Sequence, residues 1–538
     1  MRIFCLLGTI LLLSQTHSSA QGSSAPRAMR PDTSTALPDF LARNLDRTMS
    51  PAKDFFSYAN GGWIKRTPIP PEESAWGIGQ LVQQDIYRRL RKISEDAAAA
   101  NAPAGSVTQK IGDLWHSGMD SAAINQQGLT PLKETFDGID NIRTIRDLLG
   151  VSAALHRKGV HVLFSDNVAQ DDMNSEKMTY QLSQGGLGMP NRDYYFNTAQ
   201  KPAQVRKAYR HYLYLIFRHL GKDSTAARES AAAVFRLETR LARASRKLEA
   251  LRDPVKNYNK LTALALGQLS PSIDWSTWLK DIGIDALDAF IVRQPEFYMA
   301  LNAELKSTSL ADWKSYLQAH VMAAAAPYLD QRSYAAYFQY HRTLTGAAMP
   351  RPRWKRVLDA AEGAMGEALG QLFVKEYFSQ RAKQRYSDMV EAIRDAYKAR
   401  IAKLTWMSDS TKQKALVKLS YITKKVGYPD KWKDFSSLQI DRGPYVLNMQ
   451  RAAEWWNHYL IGKLGKPVDR REWDMSPQTY NAYYNPSNNE IVLPAGIFAV
   501  PGKRDEDLDD AFVYGYAAAS TIGHEITHGF DDQGRQFD

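Results

Sequence analysis

From about residue 80 to 425 this chain is written almost entirely in helical period. Segments 202–222, 226–250, 355–378 and 386–404 are long, rich in Ala, Leu and Arg, and apolar at three-to-four spacing. Such stripes predict a mainly α fold. Breaks fall at turn formers: Gly188 to Asn191, Pro271 with Ser272, and Tyr428 to Asp430. There is no internal repeat and no long low-complexity tract. With 538 residues, 44% of them hydrophobic, the chain is neither disordered, collagen-like nor a small disulfide-stapled module. It has the length for two large lobes.

The N-terminus predicts export. Arg2 supplies a positive charge, Ile3 to Leu13 an apolar run, and Ser18-Ser19-Ala20 small residues for a signal peptidase. A bilayer span needs about 20 apolar residues, so this run is short for an anchor, and no later stretch spans a membrane. The alternative is a buried N-terminal helix. The single cysteine, Cys5, lies inside the run and would leave with it, so packing rather than disulfides must hold the mature protein. Residues 1–20 are thus expected to be a signal peptide and 21–37 a flexible linker, with the protein periplasmic or extracellular. Lys plus Arg exceed Asp plus Glu, 69 against 58, but the excess is spread along helices. Nucleic acid is not an expected partner.

Near the C-terminus the texture changes. Thr479–Tyr484 and Glu490–Leu493 are β-prone runs about the turn formers Asn485 to Asn489, which predicts a hairpin. An acidic stretch, Asp505 to Asp510, then precedes an apolar helix from about Ala511 to His528. Acidic residues there suit the positive end of the helix dipole. This helix carries His524-Glu525-Ile526-Thr527-His528. Residues i and i+4 share a face, so the two imidazoles can grip one ion. Neutral imidazole suits Zn²⁺, whose catalytic sites leave a position for water. Glu525 stands about 100° around the helix, where it can take that water's proton as general base while the metal polarises a scissile carbonyl. The bland alternative is two surface histidines on an amphipathic helix. Against it stand the small apolar turn Ala517 to Gly523, Gly529 for close chain passage, and Asp531 and Asp532, either of which can orient an imidazole N–H.

With its flanks, Ile522 to Asp532 resembles the zinc-helix motif of the neprilysin-like (M13) metallopeptidases. Asn481 to Tyr484 with Ile491 to Ile497 resembles that family's substrate-binding strand. Asp54 to Trp63, Ser117 to Asp120, Gly186 to Tyr195, Arg353 to Arg356 and Leu404 to Met407 resemble its upstream landmarks. The likeness runs over about 38–538. It implies a two-lobed fold: a thermolysin-like catalytic lobe carrying a small β-hairpin, and a large helical lobe enclosing the substrate cavity. The implied domains are 38–430, N-terminal and helical, and 431–538, C-terminal, catalytic and incomplete. It implies one zinc per chain on His524 and His528, Glu525 as catalytic base, Asn481 and Ala482 holding the substrate backbone, and Ile497, more weakly Ser520 and Thr521, lining the pocket for the residue after the scissile bond. The implied activity is endopeptidase cleavage of short peptides on the amino side of bulky apolar residues.

This sequence departs from the family pattern in three ways. Ala52 and Gly118 stand where animal members have cysteines, which agrees with a disulfide-free chain. Ala75 stands where some members bind a substrate's terminal carboxylate with arginine. The family's third zinc ligand, a glutamate well downstream of the histidines, falls beyond Asp538, so the sequence is expected to be a fragment of a longer enzyme. The rival expectation is a non-catalytic peptide-binding scaffold that retains the helical lobe. A weaker one is a helical envelope protein whose histidine pair is accidental. The aromatics Trp63, Tyr194, Tyr195, Trp354 and Trp406 are expected in the core, and Gly61, Gly62 and Gly188 in turns. The oligomeric state is open.

Overall fold

The computed structural model describes residues 41–285 and 287–537. The expected signal peptide and linker lie outside these residues. Among the described residues no helix is long and apolar enough to cross a membrane. The chain divides into two compact units, the first ending at Pro68 and the second starting at Ile69.

In the first unit a helix, Phe55–Arg66, starts at Asp54, whose carboxylate accepts the Ser57 N–H at 3.0 Å. Gly61 and Gly62 lie inside this helix, not in a turn. A Cβ on Gly61 would stand 2.7 Å from Asp46 Cβ, and one on Gly62 2.7 Å from the Arg43 carbonyl. They are glycine because residues 43–46 pack directly on the helix backbone.

In the second unit the helical periods are realised with small shifts. Observed helices run Gln200–His219, Ser224–Ala244, Arg353–Tyr377 and Gln380–Ala402. The third is kinked at Met365, whose φ of −152° is not helical. Two small sheets accompany them. In the first, β1 (Ser165–Asp171), β2 (Asn174–Ser183), β3 (Lys260–Thr262) and β4 (Ala289–Val292) lie in the order β1-β2-β4-β3. In the second, β5 (Thr423–Gly427), β6 (Tyr483–Asn485) and β7 (Glu490–Pro494) lie in the order β5-β7-β6. β6 and β7 are the expected antiparallel hairpin, and β5 joins β7 in parallel. The hairpin's first strand is shorter than its β-prone run, so Asn481 and Ala482 precede β6 rather than lie within it.

Two hydrophobic cores form. The first runs from Leu132 to Tyr340 with Val446 added, around Trp278, Trp313 and Tyr298. The second joins Val82–Ile124 to Val357–Ile526, and so draws on both ends of the unit. A cavity of about 350 Å³ lies between them, lined by Val321 and Ala325 of the first and Ala360 and Ala364 of the second. Tyr195 is buried, and Tyr194 and Trp354 pack partly buried on the cores. Trp406 is not a core residue: it is 76% exposed and lines an open cavity with Tyr421 and Phe530. Gly188 serves close approach, since a Cβ there would meet Tyr209 Oη at 1.8 Å.

The second sheet is pinned by a buried ion pair. Lys425 Nζ on β5 lies 2.9 Å from Glu490 Oε2 on β7, with side chains only 9% and 4% exposed. Lys425 also donates to the Glu472 carbonyl at 2.7 Å, and Asn488 donates to the Glu490 carboxylate at 3.2 Å. Removing one member strands a charge in a dry place. Lys425→Ala is therefore expected to lower unfolding free energy by about 3–5 kcal/mol, read as a fall in the denaturant midpoint. Loss of under about 1 kcal/mol, the range of an exposed pair, would mean that water reaches Glu490.

Candidate metal centre

The helix bearing the histidines begins where Asp509 accepts the Phe512 N–H at 2.8 Å. Neighbouring acidic residues are held by side chains of the helix Gln380–Ala402. Asp505 accepts from Tyr386 Oη at 2.7 Å, and Asp510 from Arg385 at 2.6 Å. Between Asp510 and His528 the helix is not uniformly α: Tyr514–Ile522 is π-helical, flanked by α-turns. Its buried apolar residues explain why. Val513, Ala517, Ile522 and Ile526 all join the second core, at successive steps of four, five and four. A regular α-helix would rotate the five-residue step off the buried face; one wider turn returns it.

With Ile522 and Ile526 turned inward, the two imidazoles are set side by side. His524 Nε2 and His528 Nε2 lie 3.1 Å apart, their rings nearly perpendicular. His528 Nδ1 lies 2.7 Å from Asp531 Oδ2. That carboxylate fixes the tautomer, because Nδ1 must carry the proton and the Nε2 lone pair then faces His524. Asp531 is itself held by the N–H groups of Gln533 at 2.9 Å and Gly534 at 2.7 Å. Burial would raise its pKa, but the Gly534 N–H, His528 and the Gln533 N–H outweigh burial and hold it low. Burial pulls the His524 pKa down, and the neighbouring His528 adds to this. Low basicity keeps a lone pair free, which is what a metal ligand needs. The donor set and its convergence fit a zinc ion. Among the described residues no third histidine or carboxylate joins the pair.

Glu525 is 6% exposed, and burial pushes its carboxyl up to about 7, with His528 working in the opposite sense. Asp532 does not reach an imidazole: it is exposed and lies 3.7 Å from Arg252. Of the two candidate carboxylates, only Asp531 contacts a histidine. Gly529 sits under Tyr484 of β6, whose Oη would be 3.3 Å from a Cβ there. The helix end and the outer strand of the sheet are thus in contact. Asn481 is exposed and Ala482 is 8% exposed just before that strand. Ile497 follows β7 in a single turn, Ala495–Phe498, and packs on the second core. Gly496 permits this turn, since a Cβ would lie 2.4 Å from the Gln478 carbonyl. Thr521 is partly buried, and the side chain of Ser520 is outside those described.

Sequence reasoning missed three supports of the site. Tyr397 Oη donates to the Gly523 carbonyl at 2.7 Å and touches the Thr527 hydroxyl. Lys418 Nζ donates to the carbonyls of Gly534 at 2.7 Å and Phe537 at 2.5 Å. Gly534 returns against the His528 carbonyl, 1.9 Å from where a Cβ would stand. Only the last had a sequence signal, a glycine six residues beyond a ligand candidate.

Comparison with known proteins gives this geometry its context. The family model described as Peptidase family M13 matches residues 51–429, and a second of the same description matches 481–538. Endothelin-converting enzyme 1 of Rattus norvegicus is 30% identical over 519 residues, covering 93% of this chain and 67% of the relative. Endothelin-converting enzyme-like 1 of Mus musculus is 30% identical over 522 residues, covering 93% and 66%. The chain spans about two thirds of these relatives' length. The crystal structure of the Mycobacterium tuberculosis zinc metalloprotease Zmp1 with an inhibitor superposes with a TM-score of 0.86 at 36% identity, covering 92% of this chain and 75% of that one. PepO from Lactobacillus rhamnosis shares the fold, with a TM-score of 0.82 at 23% identity over 91% and 78%. The chain belongs to peptidase family M13, the zinc metallopeptidases.

Proposed function

We propose that the protein is an exported zinc metalloendopeptidase that hydrolyses short peptides, with cleavage on the amino side of bulky apolar residues. The observation that carries this is the pair of Nε2 atoms 3.1 Å apart, with the His528 tautomer fixed by Asp531 and Glu525 on the adjoining helix position. His524 and His528 are the ligands and Glu525 the base. A bound zinc supplies acidity to the attacking water and polarises the substrate carbonyl. Glu525 takes the proton as the water oxygen bonds to the carbonyl carbon. It then passes that proton to the amine as the C–N bond breaks. Its burial keeps competing water away.

The open side of β6 supports substrate binding as an added strand, with Asn481 and Ala482 at its approach. Ile497 is the proposed wall for the apolar side chain after the scissile bond. The open cavity of about 1400 Å³ lined by Trp406, Tyr421, Thr527, Gly529 and Phe530 adjoins the histidine-bearing helix and has room for part of a peptide. Export rests on Arg2, the Ile3–Leu13 run and the Ser18–Ala20 site, and the domain division at 430/431 rests on the resemblance.

Two outcomes test the centre. In the native protein, Glu525→Gln is expected to lower kcat on a quenched peptide by about 10²–10⁴-fold with bound zinc unchanged; turnover retained in that variant removes Glu525 as the base. Gly534→Ala must displace either the His528 carbonyl or the N–H that holds Asp531. It is expected to weaken zinc binding by about 10–100-fold, as measured by competition with a chelator. Unchanged affinity would mean that the Asp531 loop does not orient His528.

A further inference from the structure

A second set of imidazoles lies on the first core, away from the zinc-helix residues. His156 lies in the last turn of the helix Ile145–Arg157 and is 3% exposed. His161 lies in the loop that follows, its side chain 45% exposed, and Asp166 is the second residue of β1. His156 Nδ1 is 2.6 Å and His161 Nδ1 3.1 Å from the same oxygen, Asp166 Oδ1. All three donor atoms lie within 4.8 Å of one another.

The contacts behind this cluster matter most. His156 Nε2 lies 2.7 Å from the Val162 carbonyl, a contact that is repulsive unless Nε2 carries a hydrogen. The Val162 N–H also approaches Nε2, but at 3.2 Å, the weaker claim. With the hydrogen on Nε2, the lone pair of Nδ1 faces a carboxylate oxygen at 2.6 Å. Two lone pairs at that distance require a cation, a proton shared by the pair or a metal ion bound to both atoms. The second imidazole, 3.1 Å from the same oxygen, supplies a third donor that a metal ion can use and a shared proton cannot. The carboxylate is aimed too. Asp166 Oδ2 accepts from Tyr180 Oη at 2.5 Å, and that oxygen accepts from Trp278 Nε1 at 3.2 Å. Phe164 and Trp278 pack on the His156 ring and keep its inner side dry. The loop bends through Leu163, a non-glycine at φ 65°, anchored by Tyr316 Oη to its N–H at 2.9 Å.

We propose that His156, His161 and Asp166 form a second metal site, taking one zinc-like divalent cation through two imidazole nitrogens and a carboxylate oxygen. Two nitrogens and one oxygen suit zinc and its borderline neighbours, not Mg²⁺ or Ca²⁺, which take oxygen ligands. The Val162 carbonyl, Tyr180 and Trp278 are the outer groups that fix ring and carboxylate. The ion fastens the end of the helix Ile145–Arg157 to β1, and His161, at the surface, is the side from which it enters.

The test uses the full chain carrying His524→Ala and His528→Ala, so that the family site is out of the measurement. Equilibrium dialysis against Zn²⁺ followed by metal analysis is expected to find one ion per chain, with a rise in Tm on loading. Adding His161→Ala, which changes an exposed ring and spares the core, is expected to abolish both. Tyr180→Phe, which keeps the buried ring and removes the hydroxyl, is expected to weaken binding by about 10–100-fold. A background chain that takes up no zinc overturns the proposal and leaves a buried imidazolium–carboxylate pair only. Zinc retained equally after His161→Ala overturns it as well, by placing the ion elsewhere. Peptidase activity enters neither readout, so failure here is separate from failure of the family site.

Discussion

The burial of four apolar side chains on one helix sets the candidate centre. Val513, Ala517, Ile522 and Ile526 join the second core only because the helix widens to π geometry between Tyr514 and Ile522. Val513, Ile522 and Ile526 are each worth about 1.5–3 kcal/mol on burial, together more than the irregular turn costs in hydrogen-bond geometry. Once Ile522 and Ile526 face inward, helical spacing leaves His524 and His528 together on another face, with Glu525 between the two directions. The hydrophobic effect thereby places groups that are themselves polar.

Burial fixes the helix but not the rings. An imidazole can turn about its χ angles and choose between tautomers, and the chain after His528 settles both. The Asp531 carboxylate takes one ring nitrogen, and two backbone N–H groups hold that carboxylate. Lys418 carries the support outward. Its ammonium grips the carbonyls of Gly534 and Phe537, and its own carbonyl accepts from Asn489 in the hairpin turn. One lysine therefore joins the helix Asp409–Ser420, the β6–β7 turn and the loop behind the histidine pair. Zinc ligation depends on such outer contacts nearly as much as on the ligands.

Local signals in the sequence carried far. The helical periods of 202–222 and 355–378 became helices within a few residues, 386–404 one that starts earlier, at Gln380, and Asn485 to Asn489 became the hairpin turn. The spacing of His524 and His528 was legible because it is a local property of one helix. What could not be read depends on partners distant in sequence. Gly61 and Gly62 looked like turn residues, but the loop 43–46 presses on them inside a helix. Trp406 looked like a core aromatic, but its ring stands mostly in solvent. Lys425 and Glu490 are sixty-five residues apart in the chain and meet only because β5 enters beside β7. In the sheet of β1 to β4, β3 and β4 are three and four residues long, too few for a period to show, and β1 and β2 are mostly polar, with few of the β-branched and aromatic residues that mark a strand.

The two imidazole clusters differ in where the carboxylate stands, and that difference predicts different chemistry. Behind His528, Asp531 holds the ring nitrogen that points away from His524, so the converging Nε2 atoms keep their far side free. At His156 the anchoring partner is the Val162 carbonyl, and the carboxylate stands in front, between the two converging rings. Asp166 therefore ties both rings to β1 through one oxygen, while Tyr180 holds its other oxygen. The same residue types, rearranged about the ring, thus leave two imidazole nitrogens facing each other in one place and fasten a helix end and its loop to a strand in the other.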